Sequence, residues 1–441
     1  MMKAPWLLAA CLASTLTAAC AAEDTVPADA VAQDVAEWED WLFATHPDPA
    51  FSMDVDAVHA RFDAIAQNLE GRYTRREAWL ALSPLNPMFG DGHITLRLPH
   101  EDYDAYLANG GAEFTLPVHL RGGAPVVAET VAETSRLQRG DTILAINGLD
   151  PRDLVARALA RTNGDTAGLR THLVETRFSQ YLWALTGGAE AWTVTVQAPD
   201  GSTRQITLDP ALDRPGAEAE NWALDFRGDA AVLTLNTFIP PLEESFKAFI
   251  DAAFAEIAAR GSEILVIDIS ENGGGAHMLS DHLLAYLTDQ RHTPLSAVTA
   301  RVIAANQDLI PGSTIGDVVS MPYAQWIEPP AELANRYRGR TAFLVGAGTY
   351  SQAIVLAATA QDFDIAPVAG PGTEGRANST GQVQLHRLAN TDLEAAAPIY
   401  IFIRASGDRS SAPVVPDIPL SGTRDEQINT LIRHLREDAT H

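Results

Sequence analysis

The order of apolar runs and turns predicts an α/β fold with a largely parallel sheet. Three observations carry that prediction. From about residue 222 the apolar runs "AAVLTLNTF", "EILVIDI", "TAFLVG" and "DIAPVAG" alternate with helical patterns. "EILVIDI" is unbroken by polar residues, as expected for a strand covered on both faces. Two of the strands run into turns of small residues, "ENGGG" and "GAGTYS", each followed by a helix.

Taken in chain order, the first segment is a leader rather than fold. Lys3 precedes an apolar run from Ala4 to Ala19, and no acid occurs before Glu23, which reads as a secretory signal over 1–22. Two cleavage patterns fit: a cut within "AACAA", or a lipoprotein signal in which Cys20 carries lipid. Both cysteines, Cys11 and Cys20, fall in this leader, so the body has no disulfide and no thiol nucleophile.

Residues 23–112 form an N-terminal region. About 28–83 reads as helical, with Trp38, Trp41, Leu42, Val58, Phe62, Ile65 and Leu69 at helical spacing. "NPMFGDGHITLRLP" then breaks the pattern before a short strand. Residues 113–210 read as a β-rich module, with a strand at Thr142 to Ile146, a turn at Asn147-Gly148 and a hairpin around Asp200-Gly201. A linker at 209–221 leads to the α/β part, 222–441. There "EESFKAFIDAAFAEIAARG" is an amphipathic helix stopped by Gly261. The stretch 290–340 gives no assignable pattern.

Composition limits the function classes. A net charge of −26 and a pI near 4.7 offer no basic footprint, so a nucleic-acid partner is not expected. No H-E-x-x-H and no phosphate-loop lysine occur, and "GPGTEG" satisfies a dinucleotide fingerprint only by letter, since "RANSTGQVQLH" does not read as its helix. Neither cofactor nor metal is expected.

The chemistry gathers at the two strand-to-helix corners. In an open parallel sheet such corners collect at the carboxyl ends of the strands. Gly273 to Gly275 let backbone N–H groups approach a ligand, as an oxyanion hole requires. Gly274, Gly275 and the Gln352 amide are the candidate donors. Ser351 is either the cap of the helix after it or a nucleophile.

"ILVIDISENGGG" followed about 75 residues later by "GTYSQA" resembles the core of the tail-specific (C-terminal-processing) serine peptidases, which include the tricorn core. "GDGHITLRL" resembles the segment before that family's inserted domain, "LQRGDTILAINGLDPRDLV" its PDZ-like module, and "VAGPGTEGRAN" and "SAPVVPDIPL" its later turns and strands. The resemblance covers nearly all of 35–425. It implies a crotonase/ClpP-like ββα catalytic core, a helical N-terminal region and an inserted PDZ-like domain. It also implies a secreted or periplasmic serine endopeptidase acting on peptide or protein substrates held through their C-terminus. The alternative on the same scaffold is a binding protein for peptides or hydrophobic ligands.

The base follows partly by counting. One branch of the family places a lysine about 25 residues after the serine, but Arg376 stands there, and arginine does not accept a proton. Lys247, the one lysine beyond the leader, lies on the amphipathic helix. Histidine remains, and His93 matches the base of the tricorn-like branch, with His277 as rival. The resemblance puts the third member at Asp408. Its alignment also touches Ser410, and Asp91 and Glu374 are alternatives. Asp417 reads as a turn residue, and Ser270 stands where many members carry arginine.

Overall fold

A computed structural model describes residues 24–128, 136–210, 213 and 220–437. The leader with Cys11 and Cys20, and most of the linker, lie outside the described residues. The centre of the α/β part is a six-stranded sheet. Its order is Ile418–Pro419, Val368–Gly370, Arg340–Leu344, Ile264–Asp268, Ala230–Leu235, Trp222–Arg227. Only the last strand runs antiparallel to its neighbour.

The unbroken "ILVID" is explained by layers on both sides. Leu265 and Ile267 face one way, against Phe246, Ile250 and Phe254 of the helix Glu243–Arg260 and Leu356 of the helix Gln352–Asp362. Ile264 and Val266 face the other way, against Ile428, Leu431 and Leu435 of the C-terminal helix Arg424–Glu437. The period of two thus supplies each layer with alternate residues. Gly261 ends the long helix in the left-handed conformation, φ 65°.

The stretch 290–340, which gives no pattern in sequence, contributes to a second, antiparallel sheet. Its order is Val318–Pro322, Leu295–Arg301, Glu394–Arg404, Thr380–Arg387, with Thr95–Leu96 also paired to the long strand. Thr380–Arg387 is a strand, not the helix a dinucleotide fingerprint requires.

The N-terminal region holds the helices Ala28–Thr45, Val55–Gln67 and Arg75–Leu82, with Trp38, Leu42, Val58 and Phe62 fully buried. Asp34, also fully buried, fastens the first helix to a distant loop. Its carboxylate accepts from the Asn390 amide and side chain and from the Thr391 amide and hydroxyl, at 2.6–2.9 Å. Asp34→Ala leaves those donors unpaired and is expected to lower unfolding free energy by about 3 kcal/mol, measurable by urea titration.

Residues 118–207 hold a five-stranded antiparallel sheet, Val118–Arg121, Ala124–Val127, Thr142–Ile146, Thr193–Gln197 and Thr203–Thr207. Asn147 and Gly148 form the turn with positive φ, 47° and 77°. Three helices that the β-rich reading lacks, Pro151–Leu159, Ala167–Thr176 and Phe178–Thr186, sit within this segment. Among the described residues no helix is long and apolar enough to cross a membrane.

Candidate active site

The two small-residue corners meet because their strands are neighbours. Asp268 pairs with Leu344, so both chains leave the sheet at the same edge. The Tyr350 amide donates to Asn272 O at 2.9 Å and the Thr349 hydroxyl to Ile269 O at 2.8 Å, which locks one corner onto the other. Gly274 is where they touch. A Cβ there would lie 2.7 Å from Ser351 Cβ and 2.8 Å from Gln352 N. Only glycine admits that approach.

Ser351 does not cap its helix. Its side chain makes no capping bond, and its backbone sits at φ 51°, ψ −122°. A non-glycine residue in that region costs about 1–3 kcal/mol and is held there by its surroundings. The hydroxyl instead faces His93, with Oγ 3.1 Å from Nε2. The imidazole comes from the turn after the 3₁₀ segment Ser83–Phe89, some 258 positions away in sequence. Gly92 makes room for Tyr350 beside it, since a Cβ there would stand 2.4 Å from the Tyr350 hydroxyl.

The far side of the imidazole has three neighbours. Nδ1 lies 2.9 Å from Thr380 Oγ1, 3.3 Å from the Tyr350 hydroxyl and 3.6 Å from Asp91 Oδ1. Proton counting fixes the tautomer. The Thr380 hydroxyl has one proton and gives it to Asp91, at 2.8 and 3.0 Å. The Tyr350 hydroxyl gives its proton to Asp165 Oδ1 at 2.9 Å. Both oxygens therefore meet Nδ1 as acceptors, so Nδ1 carries the proton. Nε2 is left with the lone pair that faces Ser351.

Asp91 is the acid of this cluster. It is 2 % exposed and also accepts from the His93 amide at 2.7 Å. Burial pushes its carboxyl up, but the hydrogen bonds and charge of His93 outweigh that and hold it below the usual carboxylate range. Burial, then the charges of Asp165 and Asp91, raises the Tyr350 hydroxyl well above its ordinary value, so it stays protonated.

Asp408 is corrected. It lies on the surface, and its carboxylate accepts from the Ser410 amide and hydroxyl at 2.9 and 2.8 Å. The closing segment instead grips Asn378 through the carbonyls of Asp408 and Ser410. Asp91, weighed only as an alternative, stands where Asp408 was expected. Glu374 is turned to Thr166, and Asp417 holds the Val368 amide at 2.8 Å as a turn residue does. His277 pairs with Asp281 one turn along its own helix, and Lys247 pairs with Glu243. Arg376 donates to Gly90 O at 2.5 Å. Ser270 donates its amide to Asp268, whose charge is met by Arg424 at 2.5 Å.

Gly274 needs a second correction. Its amide donates to Asn272 Oδ1 at 2.8 Å, and Asn272 is itself fixed to Leu235 O at 2.9 Å, so this donor is already engaged. The Gly275 and Gln352 amides have no acceptor among the described residues. Thr380, Tyr350 and Asp165 escaped sequence reasoning. Their partners lie 185–289 positions away, and no local pattern marks them. Among the described residues no group of three or more histidine, cysteine or acidic side chains could hold a metal ion.

Residues 229–420 match the model of Peptidase family S41. No curated protein matches the chain. Among solved structures, mature CPAF complexed with lactacystin is 16 % identical with a TM-score of 0.64, over 93 % of this chain and 97 % of that one. The photosystem II D1 C-terminal processing protease is 18 % identical with a TM-score of 0.48, over 90 % and 96 %. The first of these is a likeness of fold. Over residues 229–420, which hold both corners and every strand of the central sheet except Trp222–Arg227, the chain is similar to peptidase family S41, a family of serine peptidases.

Proposed function

We propose that the protein hydrolyses peptide bonds in secreted or envelope-located substrates, with Ser351 as nucleophile and His93 as general base. The observation that carries this reading is the 3.1 Å contact between Ser351 Oγ and an Nε2 whose opposite nitrogen is committed as a donor. His93 takes the hydroxyl proton as Oγ attacks the scissile carbonyl, and returns it to the leaving amine. Thr380 links the imidazole to Asp91, so the charged imidazolium faces an anion through one hydroxyl. The Gln352 and Gly275 amides receive the oxyanion, and Gly274 supplies the space rather than a donor. No cofactor enters the reaction.

The inserted segment 113–210 acts as a PDZ-like module that presents an extended peptide, or its C-terminus, by strand addition. The leader directs export, and Cys20 is the site of a lipid anchor if the lipoprotein cut is used. Incubation with an unfolded protein substrate tests the reading. Wild type should yield peptides and Ser351→Ala none, whereas equal cleavage by the two would refute it.

The role of Thr380 gives a separate expectation. Thr380→Val keeps the volume but leaves His93 Nδ1 without its nearest acceptor and Asp91 with only the His93 amide as a donor. The expected result is a fall in kcat of about 10²-fold with KM nearly unchanged, measured by steady-state peptide hydrolysis.

A further inference from the structure

One carboxylate at the site belongs to neither corner nor to the histidine turn. Asp165 lies in the inserted segment, between the helices Pro151–Leu159 and Ala167–Thr176, with its side chain 5 % exposed. Its Oδ1 accepts from the Gly92 amide at 2.8 Å and from the Tyr350 hydroxyl at 2.9 Å. Its Oδ2 accepts from the Arg376 amide at 2.8 Å. Asn163, two residues earlier, donates to Gly92 O at 2.6 Å. Gly92 is thus gripped on both its N–H and its C=O by the inserted segment, one residue before His93. Arg376 closes the ring by donating to Gly90 O.

We propose that Asp165 is a positioning residue for the Ser351–His93 pair, tying the histidine turn, the nucleophile corner and the Arg376 loop to a single carboxylate. The proposal rests on the reading of Ser351 and His93 given above. Its logic is geometric. Tyr350 is the residue before the nucleophile, and its ring lies 4.9 Å from the His93 ring. By accepting the Tyr350 proton, Asp165 turns only lone pairs toward His93 Nδ1. All three bonds to Asp165 are donated to it, so the ionised form is the one the site holds. Burial first, then the charge of Asp91, pushes its carboxyl up against those donors. The other charged or titratable groups around the cluster are Asp91, Tyr350 and Arg376, with His46 behind Asp91. The inserted segment is therefore part of the catalytic architecture, and the site is incomplete without it.

Asp165→Asn in the full chain tests this, because it keeps the volume and removes the charge. kcat for peptide hydrolysis should fall by about 10- to 100-fold with KM within about twofold of wild type. A nearby anion favours imidazolium, so losing it should move the acid limb of kcat/KM down by about one pH unit. Asp165→Glu, which restores the charge, should restore the position of that limb. A ¹⁵N NMR titration of the His93 imidazole should show the same downward shift, and it reads the effect without turnover. An inert wild type would count against the peptidase reading, while the NMR titration would still decide the role of Asp165. A folded Asp165→Asn with wild-type kcat and wild-type His93 titration overturns the proposal. If Asp165→Asn does not fold, Tyr350→Phe cuts the same link while sparing the bonds to Gly92 and Arg376. Wild-type kcat in that variant would equally overturn it.

Discussion

His93→Ala is expected to lower kcat/KM for peptide hydrolysis by about 10⁴-fold or more. The serine hydroxyl is a poor nucleophile at neutral pH, and among the described residues the one group in contact able to take its proton is Nε2 at 3.1 Å. Lys247 cannot substitute, since it is paired with Glu243 on another helix. Nor can His277, which is paired with Asp281. The loss should appear in kcat rather than KM, because the imidazole acts on the transition state and not on substrate affinity. Steady-state kinetics on a fluorogenic peptide measure it directly. The double variant with Ser351→Ala should be no worse than either single change, because the two residues act as one unit.

Gly274→Ala is expected to lower kcat by about 10²- to 10³-fold, the range seen when one oxyanion donor is lost. The mechanism is displacement rather than deletion. The added Cβ would stand 2.7 Å from Ser351 Cβ and 2.8 Å from Gln352 N, so nucleophile and oxyanion donor must both move. At φ 96° the alanine backbone is strained as well. Thermal melting separates loss of the site from loss of the fold. A modest drop in Tm with a large drop in kcat is the expected pairing, whereas wild-type kcat would show that the corner has slack.

The sequence made legible those parts of the fold that local patterns encode. The run "ILVID" reads as a doubly covered strand because every residue is apolar, and the helix 243–260 because its phenylalanines recur on one face. Ser351 and His93 could be named from motifs flanked by glycine, and they stand in contact. The acid could not be read this way. Asp91 and Asp408 are both aspartates in glycine-containing turns, and what distinguishes them is burial beside Thr380, a contact 289 positions apart. The second sheet stayed hidden for a related reason. Val318–Pro322 leaves the apolar Val318 exposed and Val319 and Met321 only half-buried, so its apolar residues do not alternate with polar ones. The helix Pro151–Leu159 had a signal that went unused, with Asp150 as its cap and Pro151 in its first turn. Asp165 has no signal in its neighbourhood at all, since its meaning lies in three partners from three other loops.

Reaction with a fluorophosphonate probe tests the central claim most directly, with the modified residue located by peptide mass spectrometry. The account predicts a single adduct on Ser351, absent in Ser351→Ala and formed much more slowly in His93→Ala. A folded wild type that takes up no probe, or one labelled at Ser351 equally fast without His93, would contradict it.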